Sequence, residues 1–166
     1  MSSELRVDKI IPTNGVPTGG GGGIIQVVQK RVSTNQTTNS TSIIDVTGLS
    51  AVITPHFTTS KIFSTLSCYM SSTSNGYYSF LYIYQGSSQL AKMVVAANGA
   101  AGAGGGYTGH VCYIEGFHSP ATTSATTYKA RFKAENNAQS TRIGAGANGG
   151  TADIQESILT LYEVSA

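Results

Sequence analysis

The chain has 166 residues, enough for one domain that buries roughly 70% of its unfolded surface. Only 11% of its residues are charged, with 20 glycines, no tryptophan and a net charge of +2, where soluble domains usually carry about 25% charged residues. That balance gives no concentrated basic patch for nucleic acid, and the regularly spaced apolar runs argue against disorder.

Residues 1–18 stand apart. Leu5-Arg6-Val7-Asp8-Lys9-Ile10-Ile11 alternates apolar and charged side chains, then breaks at Pro12 and Pro17, with a turn signal at Asn14-Gly15. This predicts an extended attachment arm that adds a strand to another protein or lies in a groove of it. Gly19–Gly23 is an uninterrupted run of five glycines. No Lys-Ser/Thr follows it, so it is a hinge rather than a phosphate loop.

From residue 24 to 166 the pattern predicts a single β domain. Strands are expected over 24–32, 42–46, 49–57 (divided from the one before by Gly48), 61–71, 77–84, 89–97, 109–117, 141–145 and 153–164. Asn75-Gly76 is the strongest hairpin signal and is expected to join 61–71 to 77–84, where Tyr78, Phe80, Tyr82 and Tyr84 share a face. Residues 98–106 contain only Asn, Gly and Ala. They predict a turn or a close backbone contact at the end of the domain away from the arm.

Residues 119–135 begin as a turn, since Pro120 fixes its own φ and excludes Ser119 from the helical region. The segment then alternates with period two. Tyr128, Ala130, Phe132 and Ala134 point one way, and Lys129, Arg131, Lys133 and Glu135 the other. A slip of one residue would bury the charges, so the register is strongly specified. The basic stripe has Glu135 beside it and no aromatic side chains within it, which reads as a solvated strand face. The last strand becomes apolar on both faces near Leu159, as a central strand or one buried between subunits does.

No helical period is sustained anywhere, and the even spacing of short strands predicts an all-β, antiparallel β-sandwich of jelly-roll type with an extended N-terminal arm. The carboxylates are scattered. His110 and His118 stand at opposite ends of one strand, about 26 Å apart if it is extended, and His56 follows Pro55 in another. No nucleophile motif or CxxC spacing occurs, so neither enzyme activity, a metal nor a cofactor is expected. Cys68 and Cys112 lie inside strands; they pair only if their Cα atoms come within about 4.4–6.8 Å. No signal peptide and no apolar run of about 20 residues occurs, which predicts synthesis in a cytoplasm and no membrane partner. Tyr77, Tyr107 and Tyr113 lie near predicted turns and are the candidates for contact with a polar ligand such as a glycan.

Three stretches, Ser3-Glu4-Leu5-Arg6-Val7-Asp8-Lys9-Ile10, the 119–135 segment and the final strand, together resemble small virion structural proteins of marine and cyanobacterial tailed phages, the tail-fibre, capsid-fibre or decoration type. The resemblance implies a non-enzymatic virion component, assembled in the host cytoplasm. It would be a homotrimer held to capsid, portal or tail by the arm. The alternative it leaves open is a lectin-like receptor-binding fibre tip that attaches to host surface glycans.

Overall fold

The computed structural model describes residues 23–72, 77–96, 108–145 and 154–165. The arm residues Leu5–Ile11, the turn at Asn75-Gly76, Tyr107 and the 98–106 segment lie outside the described residues. Ten strands follow in chain order: β1 (Ile24–Val32), β2 (Gln36–Thr38), β3 (Ile44–Ile53), β4 (Lys61–Ser72), β5 (Tyr78–Gln85), β6 (Ser88–Ala96), β7 (Thr108–His118), β8 (Thr126–Ala134), β9 (Thr141–Ile143) and β10 (Ser157–Val164).

The pairing is that of one long ribbon folded on itself. β5 pairs with β6, β4 with β7, β3 with β8, β2 with β9 and β1 with β10, all antiparallel. The ribbon then rolls into two sheets. One has the order β1-β10-β4-β7, extended by β9 and β2 along the same edge of β4 as β10; the other has the order β3-β8-β5-β6. This is the jelly-roll sandwich expected from the strand spacing. The sheets face each other with β1 and β10 over β3 and with β7 over β6.

The alternation read in the sequence sets the two inner faces. Tyr128, Ala130, Phe132 and Ala134 of β8 are all fully buried, while Thr127, Lys129, Arg131 and Lys133 are not. From the opposite sheet Ile62, Leu66, Met70, Leu159 and Leu161 close the core. β10 lies between β1 and β4, the central position its two-sided apolar character requires.

Three local expectations are corrected. The chain does not break into two strands at Gly48. β3 runs through from Ile44 to Ile53 with a bulge between Asp45 and Ser50, and Gly48 takes φ 76° there. The Gln36 side chain satisfies the bulge: its amide nitrogen donates to the Asp45 carbonyl at 3.2 Å, and its oxygen accepts from the Thr47 N–H at 2.7 Å. The segment holding Gln36, which lies between the strands expected over 24–32 and 42–46, is itself the short strand β2.

The third correction concerns the hairpin. β4 and β5 lie in different sheets, so the chain crosses between the sheets from one to the other and the two strands form no hairpin. The hairpin at the centre of the ribbon is Gln85-Gly86-Ser87-Ser88, with Gly86 at φ 55°, a Gly-Ser loop that suits a tight primed turn. The crossing is tied on both sides by Gln139, 1% exposed, whose amide nitrogen donates to Ser72 Oγ at 2.7 Å and to Ser79 Oγ at 3.1 Å. Nothing in the sequence pattern marks Gln139, because its partners come from two distant strands.

Candidate interaction surfaces

The strand directions give the sandwich two ends. Gly23, at the root of β1, accepts a hydrogen bond from the Ser165 N–H at 3.0 Å. This is the end where β4 begins and β7 finishes. β6 finishes and β7 begins at the opposite end, with Thr108 beside Ser72.

At the first end, Glu163 is a fully buried carboxylate on the inner face of β10. The β3–β4 loop wraps it with donors. The His56 N–H reaches Oε1 at 2.6 Å, Ser60 Oγ donates to Oε1 at 2.7 Å, and His56 Nδ1 meets Oε2 at 2.8 Å. Gln26, with its amide turned so that the nitrogen faces the carboxylate, adds a fourth donor at 3.2 Å. Burial alone would raise the Glu163 pKa. The hydrogen bonds from His56 and Ser60 outweigh it and hold the group below its ordinary 4.5. Ser60 spends its hydroxyl on the carboxylate, so His56 is not placed to activate it; the arrangement caps a charge and pins a loop.

Two strands along the same inner row, past Ile62, His118 Nδ1 lies 2.9 Å from the hydroxyl of the buried Tyr128. Burial lowers the His118 pKa and raises that of Tyr128. His110 and His118 stand at the two ends of β7, as expected. Among the described residues no three His, Cys, Asp or Glu side chains converge.

Cys68 and Cys112 are direct cross-strand partners on β4 and β7, both buried and both free thiols. The hydrogen bond between them and their burial push the Cys68 thiol well up.

The outer face of the six-stranded sheet carries an apolar row across four strands. Val27, Tyr162, Phe63 and Phe117 are successive register partners on β1, β10, β4 and β7. Ring centroids lie 6.0 Å apart for Phe63–Tyr162 and 6.5 Å for Phe63–Phe117. Val27 is 55% exposed, Phe117 60%, and nearby Val111 and Tyr113 of β7 are 77% and 56% exposed.

Tyr113 therefore lies in the middle of an edge strand, not beside a turn. Tyr77 is exposed at the other end, where the chain enters β5. The structure does not bring these two together on one face, and Tyr107 is outside the described residues.

The outer face of the four-stranded sheet carries basic side chains beside the exposed Val52, Val94 and Tyr78. Lys129 and Arg131 both donate to Asp45, at 2.7 and 2.6 Å, and the Lys129 hydrogen bond is the main cause that lowers the Asp45 pKa. The basic stripe has no aromatic side chains of its own, but the sheet supplies them from the next strand. Phe80, Tyr82 and Tyr84 of β5 lie alongside Lys133, Arg131 and Lys129 of β8. Their shared face was legible from alternation; the pairing of β5 with β8 was not.

No known family model matches the chain, and no curated protein matches it in sequence. Among solved structures, a chain from the structure of infectious bursal disease virus, Gt strain, aligns with TM-score 0.42 and 14% identity, covering 98% of this chain and 43% of that one. At that score the likeness adds nothing to the fold described above.

Proposed function

We propose that the chain is a non-enzymatic structural component of a phage virion, of the capsid-decoration or short-fibre kind, held to capsid, portal or tail by residues 1–18. The observation that carries the reading is the apolar row Val27–Tyr162–Phe63–Phe117, which crosses four strands of the six-stranded sheet, with Val27 and Phe117 exposed and Phe63 and Tyr162 half-buried. An apolar surface crossing four strands on a low-charge protein suits burial against another copy of the chain. The first strand of that sheet is also the one the arm leads into.

The sequence resemblance of the arm, the 119–135 segment and β10 supports the same reading. The composition adds to it, since few charges and many β-branched residues suit a packed particle component. In this reading the chain is a homotrimer whose subunits meet on the six-stranded sheet, and the arm engages a different virion protein.

Deletion of residues 1–18 tests the attachment. The truncated chain is expected to fold, with an unchanged β-type circular dichroism spectrum, and to be missing from purified particles. Normal incorporation of the truncated chain would rule out the arm as the anchor.

A further inference from the structure

Lys92 on β6 and Lys133 on β8 flank β5 from opposite sides. Their ammonium groups nevertheless come to rest over the same ring, 4.8 and 4.9 Å from the centroid of Phe80. Two like charges are thus held within about 10 Å of each other by one aromatic side chain. Next along the face, the Arg131 guanidinium lies 4.6 Å from the centroid of Tyr84.

Four of the ten Lys and Arg residues, Lys92, Lys129, Arg131 and Lys133, therefore share one sheet face in a chain of net charge +2. The carboxylates near them are Asp45 and Glu135. Asp45 is held between Lys129 and Arg131. Glu135, just past the end of β8, accepts the Tyr78 N–H at 2.7 Å. Among the described residues neither Lys92 nor Lys133 forms an ion pair.

A ring under an ammonium group attracts it electrostatically and leaves its charge in place. The face thus holds Lys92 and Lys133 in fixed positions without neutralising them, while Lys129 and Arg131 share the one carboxylate of Asp45. Along β8 the cationic side chains recur every second residue, about 6.8 Å apart, and Lys92 widens the row sideways. This is a surface for a linear anionic chain with regularly spaced charges.

The rings decide which chain. Proteins that grip single-stranded nucleic acid stack bases on open aromatic faces. Here Tyr82 is 3% exposed, Phe80 lies under two ammonium groups and Tyr84 under a guanidinium. Among the described rings of this row only Tyr78, 45% exposed, offers an open face, and a single ring does not stack successive bases. An acidic polysaccharide needs no such face. It needs spaced cations with polar groups between them, such as the Tyr84 hydroxyl and the Gln89 amide, which stand 3.5 Å apart at the edge of the patch. We infer that the outer face of the β3-β8-β5-β6 sheet binds an acidic polysaccharide of a cell surface through Lys92, Lys133 and Arg131. The face belongs to the sheet that β1 does not join.

Affinity electrophoresis of the full chain tests it, in gels holding polygalacturonate, dextran sulfate or uncharged dextran, with an oligothymidylate titration beside them. Retardation is expected with the two anionic polysaccharides, relieved by salt, and absent with dextran. The Lys92→Gln/Lys133→Gln variant, which adds no repulsive charge, should bind at least about tenfold more weakly, a loss of about 1.4 kcal/mol. Lys92→Glu/Lys133→Glu should abolish retardation, while Lys30→Glu/Lys61→Glu, an equal change in net charge elsewhere, should keep it. Absence of retardation, equal loss in both Glu variants, or oligothymidylate binding as tight as polysaccharide binding would each overturn the assignment.

Discussion

Glu163 shows what a single buried charge does in this sandwich. The carboxylate is fully buried, and its donors come from β1 and from the loop between β3 and β4. Because these donors stabilise the ionised form, its pKa lies below 4.5 in the folded chain. The sign follows by linkage. A carboxyl whose folded pKa is depressed contributes stability that is complete above its unfolded value and fades as pH falls through the folded one. The native chain should therefore lose stability as pH drops below about 4.5. Glu163→Gln should cost about 2 kcal/mol at pH 7, in the range for hydrogen bonds to charged groups, and flatten that acid dependence. Urea unfolding at pH 7 and pH 4 measures both; an equally steep acid loss in the Gln variant would show that another group controls it.

At the scale of elements, β4 and β7 carry the clearest consequence. Their register places Cys68 opposite Cys112 with both thiols buried. A thiol reacts as its thiolate, and the raised Cys68 pKa and the burial both withhold that form. Native protein should react slowly with a thiol-specific dye such as Ellman's reagent, and both cysteines should titrate at once in denaturant. Rapid reaction of the native chain would mean that β7 opens readily, and no reaction in denaturant would mean that the pair is already a disulfide.

β8 shows how an element's own pattern sets its place. Its alternation of Tyr128, Ala130, Phe132 and Ala134 with charged residues became four fully buried side chains and a basic outer row. β3 shows the limit, because whether Gly48 ends a strand or bulges it depends on Gln36, eleven residues before Thr47 and on another strand. No local signal carries that hydrogen bond.

At the scale of the whole molecule, the described residues form a ribbon of five nested strand pairs rolled into two sheets, and the roll leaves two unlike outer faces. One is apolar from Val27 to Phe117, and the other holds Lys92, Lys129, Arg131 and Lys133. Burial of the apolar face between copies, as the proposed homotrimer requires, should give a solution mass near three times 17.2 kDa. Replacing Phe63 and Phe117 with serine should shift the mass towards the monomer while the core, which lies on the other side of the sheet, stays folded. Light scattering on both proteins measures this, and a native mass near 17.2 kDa would exclude the trimer.

The sequence by itself determined the fold class, most strand positions and the inward face of β8, because period-two alternation of apolar and charged side chains specifies register and burial wherever one face meets a core. It also narrowed β10 to a central strand or one buried between subunits, from its apolar character on both faces near Leu159, and the structure places it between β1 and β4. Tertiary structure alone decided which strands became neighbours. Asn75-Gly76 has the local chemistry of a hairpin, yet the strands on either side of it, β4 and β5, belong to opposite sheets, and β5 instead pairs with β6 across Gly86-Ser87. Pairing across long loops also put Phe80 beside Lys133 and brought Lys92 to the same ring, opposed Cys68 to Cys112, and set Ser60 and His56 on Glu163. The physical reason is that a strand's pattern records which of its sides is wet, whereas its hydrogen-bonding edges are backbone and look alike in every strand.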